Sequence, residues 1–237
     1  MKRIVTTIAL ICALSSGLYA QRAGTDSVRI AVFGGSLSVN KESQAAKKIW
    51  KERLGVSVTD YGVGGAGFSS LQGHTMQQQV NEITGDYDIY VLWASTNDFT
   101  HSRECGSWSD YTSRDGFDPS RLVTQCGGIN YCIKTILEKN PRARIVFFTS
   151  LRFFSKPSGS DPFSEATNEL SLTFADYVKA QKACCEHYAI PVFDQFNLQG
   201  VNEFNYLEYY RPDKLHMTED GYRFIGIQQA AFLSQFL

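Results

Sequence analysis

The stretch "VRIAVFGGSLS", Val28 to Ser38, decides the fold. A short run that is apolar but for Arg29 ends abruptly at Gly34-Gly35, and the chain then presents the hydroxyl of Ser36. Runs of this length and near-continuous hydrophobicity are strands buried on both faces, the habit of parallel sheets. The two glycines let the backbone turn tightly. They deliver Ser36 to the carboxyl end of the strand, the edge where ligands of such sheets bind.

Working outward, four further runs rich in Val, Ile, Phe and Tyr read as strands: Val56–Tyr61, Ile89–Ala94, Arg144–Thr149 and Ile190–Phe193. Helical patterns lie between them. One covers Glu42–Leu54 and stops at Gly55, and another runs over Pro119–Lys139 to Asn140-Pro141. Glu169–Tyr188 and Thr218–Phe236 are the remaining two. Strand and helix alternate throughout, which predicts an α/β protein with a parallel sheet of about five strands between two helical layers.

Of the 237 residues, the first 20 are expected to be a signal peptide. Lys2 and Arg3 precede the apolar run Ile8 to Leu14, and Ala20 closes a small-residue segment. That run falls short of the ~20 apolar residues that span a bilayer, and no later segment is long or apolar enough. Export to the periplasm or the exterior is therefore expected. Residues 21–237 suit a single domain, able to bury roughly 70% of its unfolded surface. With 23 basic and 24 acidic residues mixed along the chain, the net charge is −1, so no nucleic-acid partner is expected. A small molecule or a glycan is the expected partner, with no integral membrane segment after the leader is removed.

Of six cysteines, Cys12 falls in the leader. Cys105 and Cys126 flank a loop-like segment and are the favoured disulfide pair, which export would permit. Cys184 and Cys185 continue a helical pattern through Leu170, Phe174, Val178 and Gln181, and read as core. There is no CxxC, and the four histidines are scattered, so no metal site is expected.

Three more segments fall at the strand ends or before the last helix. "GVGGAG", Gly62 to Gly67, matches a dinucleotide-binding pattern, but that pattern needs an acidic residue at the carboxyl end of the next strand. Asp86 and Asp88 come at its start, so the nucleotide reading fails. "STND", Ser95 to Asp98, would bring the Asn97 amide to the same edge as Ser36. In "DKLH", the spacing lets Asp213 fold back onto His216 across one turn, fixing the tautomer and leaving Nε2 free as a base. Each of these is weak alone, with an ordinary turn or a surface pair as the bland alternative.

Together they resemble the SGNH (GDSL-type) serine hydrolases over essentially the whole mature chain. "FGGSLS" resembles the nucleophile segment, "YGVGGAG" the glycine segment, "ASTND" the Gly-x-Asn-Asp segment and "RPDKLHMTEDGYRFIG" the terminal Asp-x-x-His with its helix. The resemblance implies a three-layer, flavodoxin-like α/β/α sandwich and cofactor-free hydrolysis of esters or thioesters. It assigns Ser36 as nucleophile, His216 as base and Asp213 as its orienter. The oxyanion hole would comprise Ser36 N–H, Gly65 N–H and the Asn97 side chain. Two positions depart from the family pattern: Gly35 stands for the usual Asp, and Ser95 for the usual Gly. Gly35 is expected to loosen the turn, and the Cβ of Ser95 to crowd a close backbone approach.

Two long loops, Thr100–Asp118 and Asn197–Lys214, carry Trp108, Tyr111, Phe204, Tyr206, Tyr209 and Tyr210. Aromatic faces edged with polar groups suit sugar rings, so carbohydrate O-deacetylation is the expected activity. A lipid or thioester acylhydrolase, and a glycan-binding module without turnover, are the alternatives. His101, just past the Asn97 turn, is a further candidate for the pocket lining, while His74 and His187 read as surface or capping residues.

Overall fold

The computed structural model describes residues 27–154 and 167–237, so the leader expected at residues 1–20 lies outside the described residues. The apolar runs form strands β1 (Arg29–Gly34), β2 (Ser57–Asp60), β3 (Ile89–Trp93), β4 (Arg144–Phe148) and β5 (Val192–Phe193). All pair in parallel, in the order β2-β1-β3-β4-β5. The order reverses between β1 and β3, which makes their carboxyl ends the binding crevice of such a sheet.

The connecting helices are α1 (Ser36–Val39), α2 (Gln44–Leu54), α3 (Met76–Asn81), α4 (Asn97–Thr100) and α5 (Gln125–Lys139). They continue as α6 (Phe174–His187), α7 (Gln195–Leu198), α8 (Tyr206–Tyr209) and α9 (Glu219–Leu233). The helix expected over Pro119–Lys139 is split. Pro119–Val123 is a 3₁₀ turn, and Thr124 adopts an extended conformation to cap α5, its Oγ1 accepting from Gly127 N–H.

Side chains alternate across the sheet, so the strands feed two cores. Ile30, Val32, Val91, Trp93 and Phe148 meet α2 and α9 on one face. Ala31, Phe33, Leu92 and Phe147 meet α3, α5 and α6 on the other. The sandwich therefore has three layers. Helices α2 and α9 pack backbone to backbone, since a Cβ on Gly226 would stand 2.7 Å from Ala46 Cα. Trp50 of α2 is fully buried, stacked on Trp93 at 6.0 Å between centroids. Each such side chain contributes roughly 1.5–3 kcal/mol by leaving water.

The cysteines depart from expectation. Among the described residues, Cys105, Cys126, Cys132, Cys184 and Cys185 are all free thiols. Cys126 lies in the first turn of α5 and points into the core toward α6, its Sγ 3.9 Å from the Ala180 carbonyl. A hydrogen bond with Cys184, then burial, pushes its thiol well above the ordinary range. Cys105 instead faces the Asp176 carbonyl at 3.7 Å, so the favoured pair is not bonded.

Candidate active site

The site begins with the turn that ends β1. The Gly34 peptide is held on both sides by one buried side chain: its N–H donates to Gln79 Oε1 at 2.9 Å, and its carbonyl accepts from Gln79 Nε2 at 3.0 Å. Gln79 is placed by a capping box at the start of α3, where Thr75 and Gln78 each accept the other's backbone N–H. Ser36 is then the first residue of α1, half-buried, and its N–H has no acceptor inside the helix. Neither glycine is left-handed; both are required by close approach. A Cβ on Gly34 would meet the Trp93 carbonyl at 2.8 Å. On Gly35 it would meet the Ala66 carbonyl at 2.7 Å, Ser95 Cβ at 2.8 Å and Asn97 Nδ2 at 3.0 Å.

The loop before α9 closes the site. Asp213 Oδ1 accepts the backbone N–H groups of Leu215 (3.0 Å) and His216 (2.9 Å), and Lys214 turns through a left-handed conformation at φ 56°. The other carboxylate oxygen, Oδ2, lies 2.9 Å from His216 Nδ1. His216 Nε2 lies 2.9 Å from Ser36 Oγ. Burial pushes the Asp213 carboxyl up, but the two N–H groups and the imidazole outweigh it and hold it below the usual carboxylate range. An anion on Nδ1 favours the tautomer with its proton there, leaving Nε2 as an acceptor for the serine hydroxyl. Such a relay can raise the nucleophilicity of Ser36.

Two further donors flank it. Gly65 is exposed at φ 82°, a conformation that favours glycine, and the turn bond runs from Ala66 N–H to Val63 O, so the turn does not use the Gly65 N–H. Asn97 Nδ2 donates to the Ala66 carbonyl at 2.8 Å and approaches Ser95 Oγ at 3.2 Å, while Ser95 Oγ itself donates to the same carbonyl at 2.7 Å. Those distances put the two acceptors roughly 50° apart as seen from Nδ2, well under the angle between its two N–H bonds. So narrow an angle allows one hydrogen to be shared by both acceptors, which would leave the other for an oxyanion.

The two departures from the family pattern therefore interlock. Ser95 Cβ occupies the room that a side chain at position 35 would need, and its hydroxyl braces Asn97. Rather than loosening the turn, Gly35 admits the brace. Asp98, next to Asn97 and fully buried, accepts from Phe68 N–H (2.8 Å) and Ser69 N–H (2.9 Å), tying the glycine segment to the end of β3. Burial raises its carboxyl above the ordinary range despite those bonds.

The aromatics of the two long loops pack onto the body while most stay half-exposed. Tyr206 stacks on Phe154 at 4.9 Å, Tyr209 on Phe224 at 4.8 Å, and Tyr210 is buried. Trp108 packs against His187 at 4.7 Å with Arg114 over its ring, and Tyr111 against Tyr131 at 5.5 Å. Phe204 is exposed. His101 Nδ1 lies 2.8 Å from the Asn97 carbonyl, on the same short helix as the oxyanion candidate.

Sequence reasoning missed Gln79, and also an ion pair between buried Lys47 and partly exposed Asp60 that touches the nucleophile turn. The signal for the pair is a lysine on the buried stripe of α2: Lys47 follows Ser43 by four residues and precedes Trp50 by three, and all three are buried.

The model of the GDSL-like lipase/acylhydrolase family matches residues 30–224. No curated protein matches. Among solved structures, the chain resembles a Lactobacillus plantarum protein at 21% identity and TM-score 0.74, covering 90% of this chain and 100% of that one. A possible lipase from Chitinophaga pinensis gives 17% identity and TM-score 0.66, covering 88% and 98%. The lipase/acylhydrolase from Enterococcus faecalis gives 15% and 0.59, covering 88% and 96%. At these identities the structures establish a shared fold.

Proposed function

The chain belongs to the GDSL-like lipase/acylhydrolase family, and from that premise we propose that it is an exported serine esterase that removes short acyl groups, acetyl foremost, from a carbohydrate. The observation that carries the catalytic part is the unbroken relay from Asp213 through His216 to Ser36, with 2.9 Å at each of its two side-chain contacts.

In this reading His216 Nε2 takes the Ser36 proton as Oγ attacks the ester carbonyl. The tetrahedral oxyanion is met by the N–H groups of Ser36 and Gly65 and by the second hydrogen of Asn97 Nδ2. His216 then protonates the leaving alkoxide. Water, deprotonated by the same imidazole, attacks the acyl-enzyme and releases the acid. Asp213 holds the imidazole and stabilises its charged form without itself being protonated.

A groove of about 730 Å³ is lined by Lys41, Glu42, Lys48, Arg211, Glu219 and Arg223, and neither Ser36, Asp213 nor His216 is part of its wall. The glycan assignment rests on the proposed export and on the loop aromatics, of which Trp108, Tyr111, Tyr206 and Tyr209 are half-exposed and Phe204 is exposed. One observation favours a lipid ester instead: Leu198, Phe204 and Leu207 are exposed, at 62%, 90% and 73%. A panel of p-nitrophenyl esters from acetate to long chains, run beside acetylated xylan and acetylated monosaccharides, separates the two. Activity confined to short acyl groups and acetyl-sugars supports deacetylation, and a maximum at long chains overturns it.

A further inference from the structure

We propose that Lys47 is a positioning residue for Ser36: with Asp60 it ties the nucleophile turn to the glycine segment that carries Gly65. This rests on the esterase reading above and deepens it.

Lys47 is 2% exposed, on the face of α2 that also buries Ala46 and Trp50. Its Nζ donates to the Ser38 carbonyl and to Asp60 Oδ2. Ser38 lies two residues past the nucleophile, in the same four-residue helix. Its carbonyl also accepts from Ser43 Oγ at 2.7 Å, while its own Oγ donates back to the Gly35 carbonyl at 2.9 Å. Asp60 ends β2, and its other oxygen accepts the Gly62 N–H at 3.2 Å, at the start of the glycine segment. The path Ser36–Ser38–Lys47–Asp60–Gly62–Gly65 thus joins the attacking hydroxyl to one of its oxyanion donors through one ammonium group.

A four-residue helix lacks the hydrogen bonds to fix its own direction, and its carbonyls are terminal. A buried charge holding one of them restricts where Oγ sits relative to His216 and Gly65. Stability alone does not explain the choice. A buried ion pair is commonly matched in stability by apolar residues of similar size, whereas a half-removed pair is costly.

That difference supplies the test. The double variant Lys47→Met/Asp60→Leu removes the tether and leaves no unpaired charge. Thermal unfolding, steady-state turnover of p-nitrophenyl acetate and the rate of fluorophosphonate labelling are measured for it beside wild type and Ser36→Ala. The expected result is a folded protein with kcat lowered roughly 10- to 100-fold, labelling slowed in step, and KM within about twofold of wild type. Wild-type kcat in a folded double variant overturns the inference, and so does a rise in KM at unchanged kcat. If the double variant does not fold, Asp60→Asn, at a position less buried than Lys47, is read by the same criteria. Failure of both to fold makes the pair a structural pin and also overturns it. Should Ser36→Ala turn over at the wild-type rate, the esterase reading itself has failed, and the two failures are distinguishable.

Discussion

His216 Nε2 lies 2.9 Å from Ser36 Oγ although 180 residues of chain separate them. The contact exists because β1 lies inside the sheet, between β2 and β3, and the loop before α9 folds back across its carboxyl end. That loop is held by the bond from Phe154 N–H to the Lys214 carbonyl at 2.7 Å, and by Arg211 N–H to the His216 carbonyl at 2.8 Å.

Asp213→Asn should leave this geometry in place and reverse the tautomer preference, because an amide can offer Nδ1 a donor. We expect kcat to fall by about 10³–10⁴-fold with little change in KM. Steady-state kinetics on p-nitrophenyl acetate check this, and a loss under tenfold would contradict it.

Asn97→Ala removes one of the proposed oxyanion donors and leaves Ser36 in place. The expected loss is about 10²–10³-fold in kcat, or ~3 kcal/mol. Fluorophosphonate should still label Ser36 in this variant, more slowly.

Gly35→Ala places a Cβ against the Ala66 carbonyl and Ser95 Cβ. Overpacking of this kind costs about 1–3 kcal/mol, read as a lowered Tm together with lost activity. Adding Ser95→Gly makes room and should recover part of the stability, but not the full kcat, since the brace on Asn97 goes with the hydroxyl. Equal Tm losses with and without Ser95→Gly would refute the interlock.

Asp213 also predicts a pH dependence of stability. Its folded-state pKa is lowered, so its ionised form contributes stability above the unfolded value of about 3.9, and that contribution is lost as pH falls through the lower folded value. The Tm difference between wild type and Asp213→Asn should be steady from neutral pH down to about pH 5 and close below about pH 4. A gap that widens on acidification would contradict the assigned sign.

Much of this was legible in the chain. Apolar runs located all five strands within about two residues; the inner strands are buried on both faces and leave few polar positions to blur the pattern, while the exposed edge strand β2 was found from the Val56–Tyr61 run around it. The four candidate loops were legible because the chemistry confines Ser36, Asn97 and the Asp213–His216 pair to short, recognisable spacings. Other features escaped. Thr124 interrupts a continuous helical periodicity through its capping hydroxyl, and a cap reads like any polar residue. Lys47 and Gln79 hold the nucleophile turn from other segments; the stripe through Ser43 and Trp50 marks Lys47 as buried, but nothing local says what its ammonium meets, and nothing marks Gln79. The roles of Gly35 and Ser95 could be judged only jointly, once the sheet had set β1 beside β3. An aromatic that packs a loop and one that receives a sugar have the same sequence signature, so the pattern of Trp108 and the tyrosines does not by itself distinguish the two roles.

The most direct test of the central claim is to treat the protein with a fluorophosphonate, digest it, and locate the adduct by mass spectrometry while following p-nitrophenyl acetate hydrolysis. We predict a single adduct on the peptide containing Ser36, with loss of turnover in step with labelling and neither in Ser36→Ala. An adduct on another serine, or a Ser36→Ala protein that hydrolyses the ester as wild type does, would contradict it.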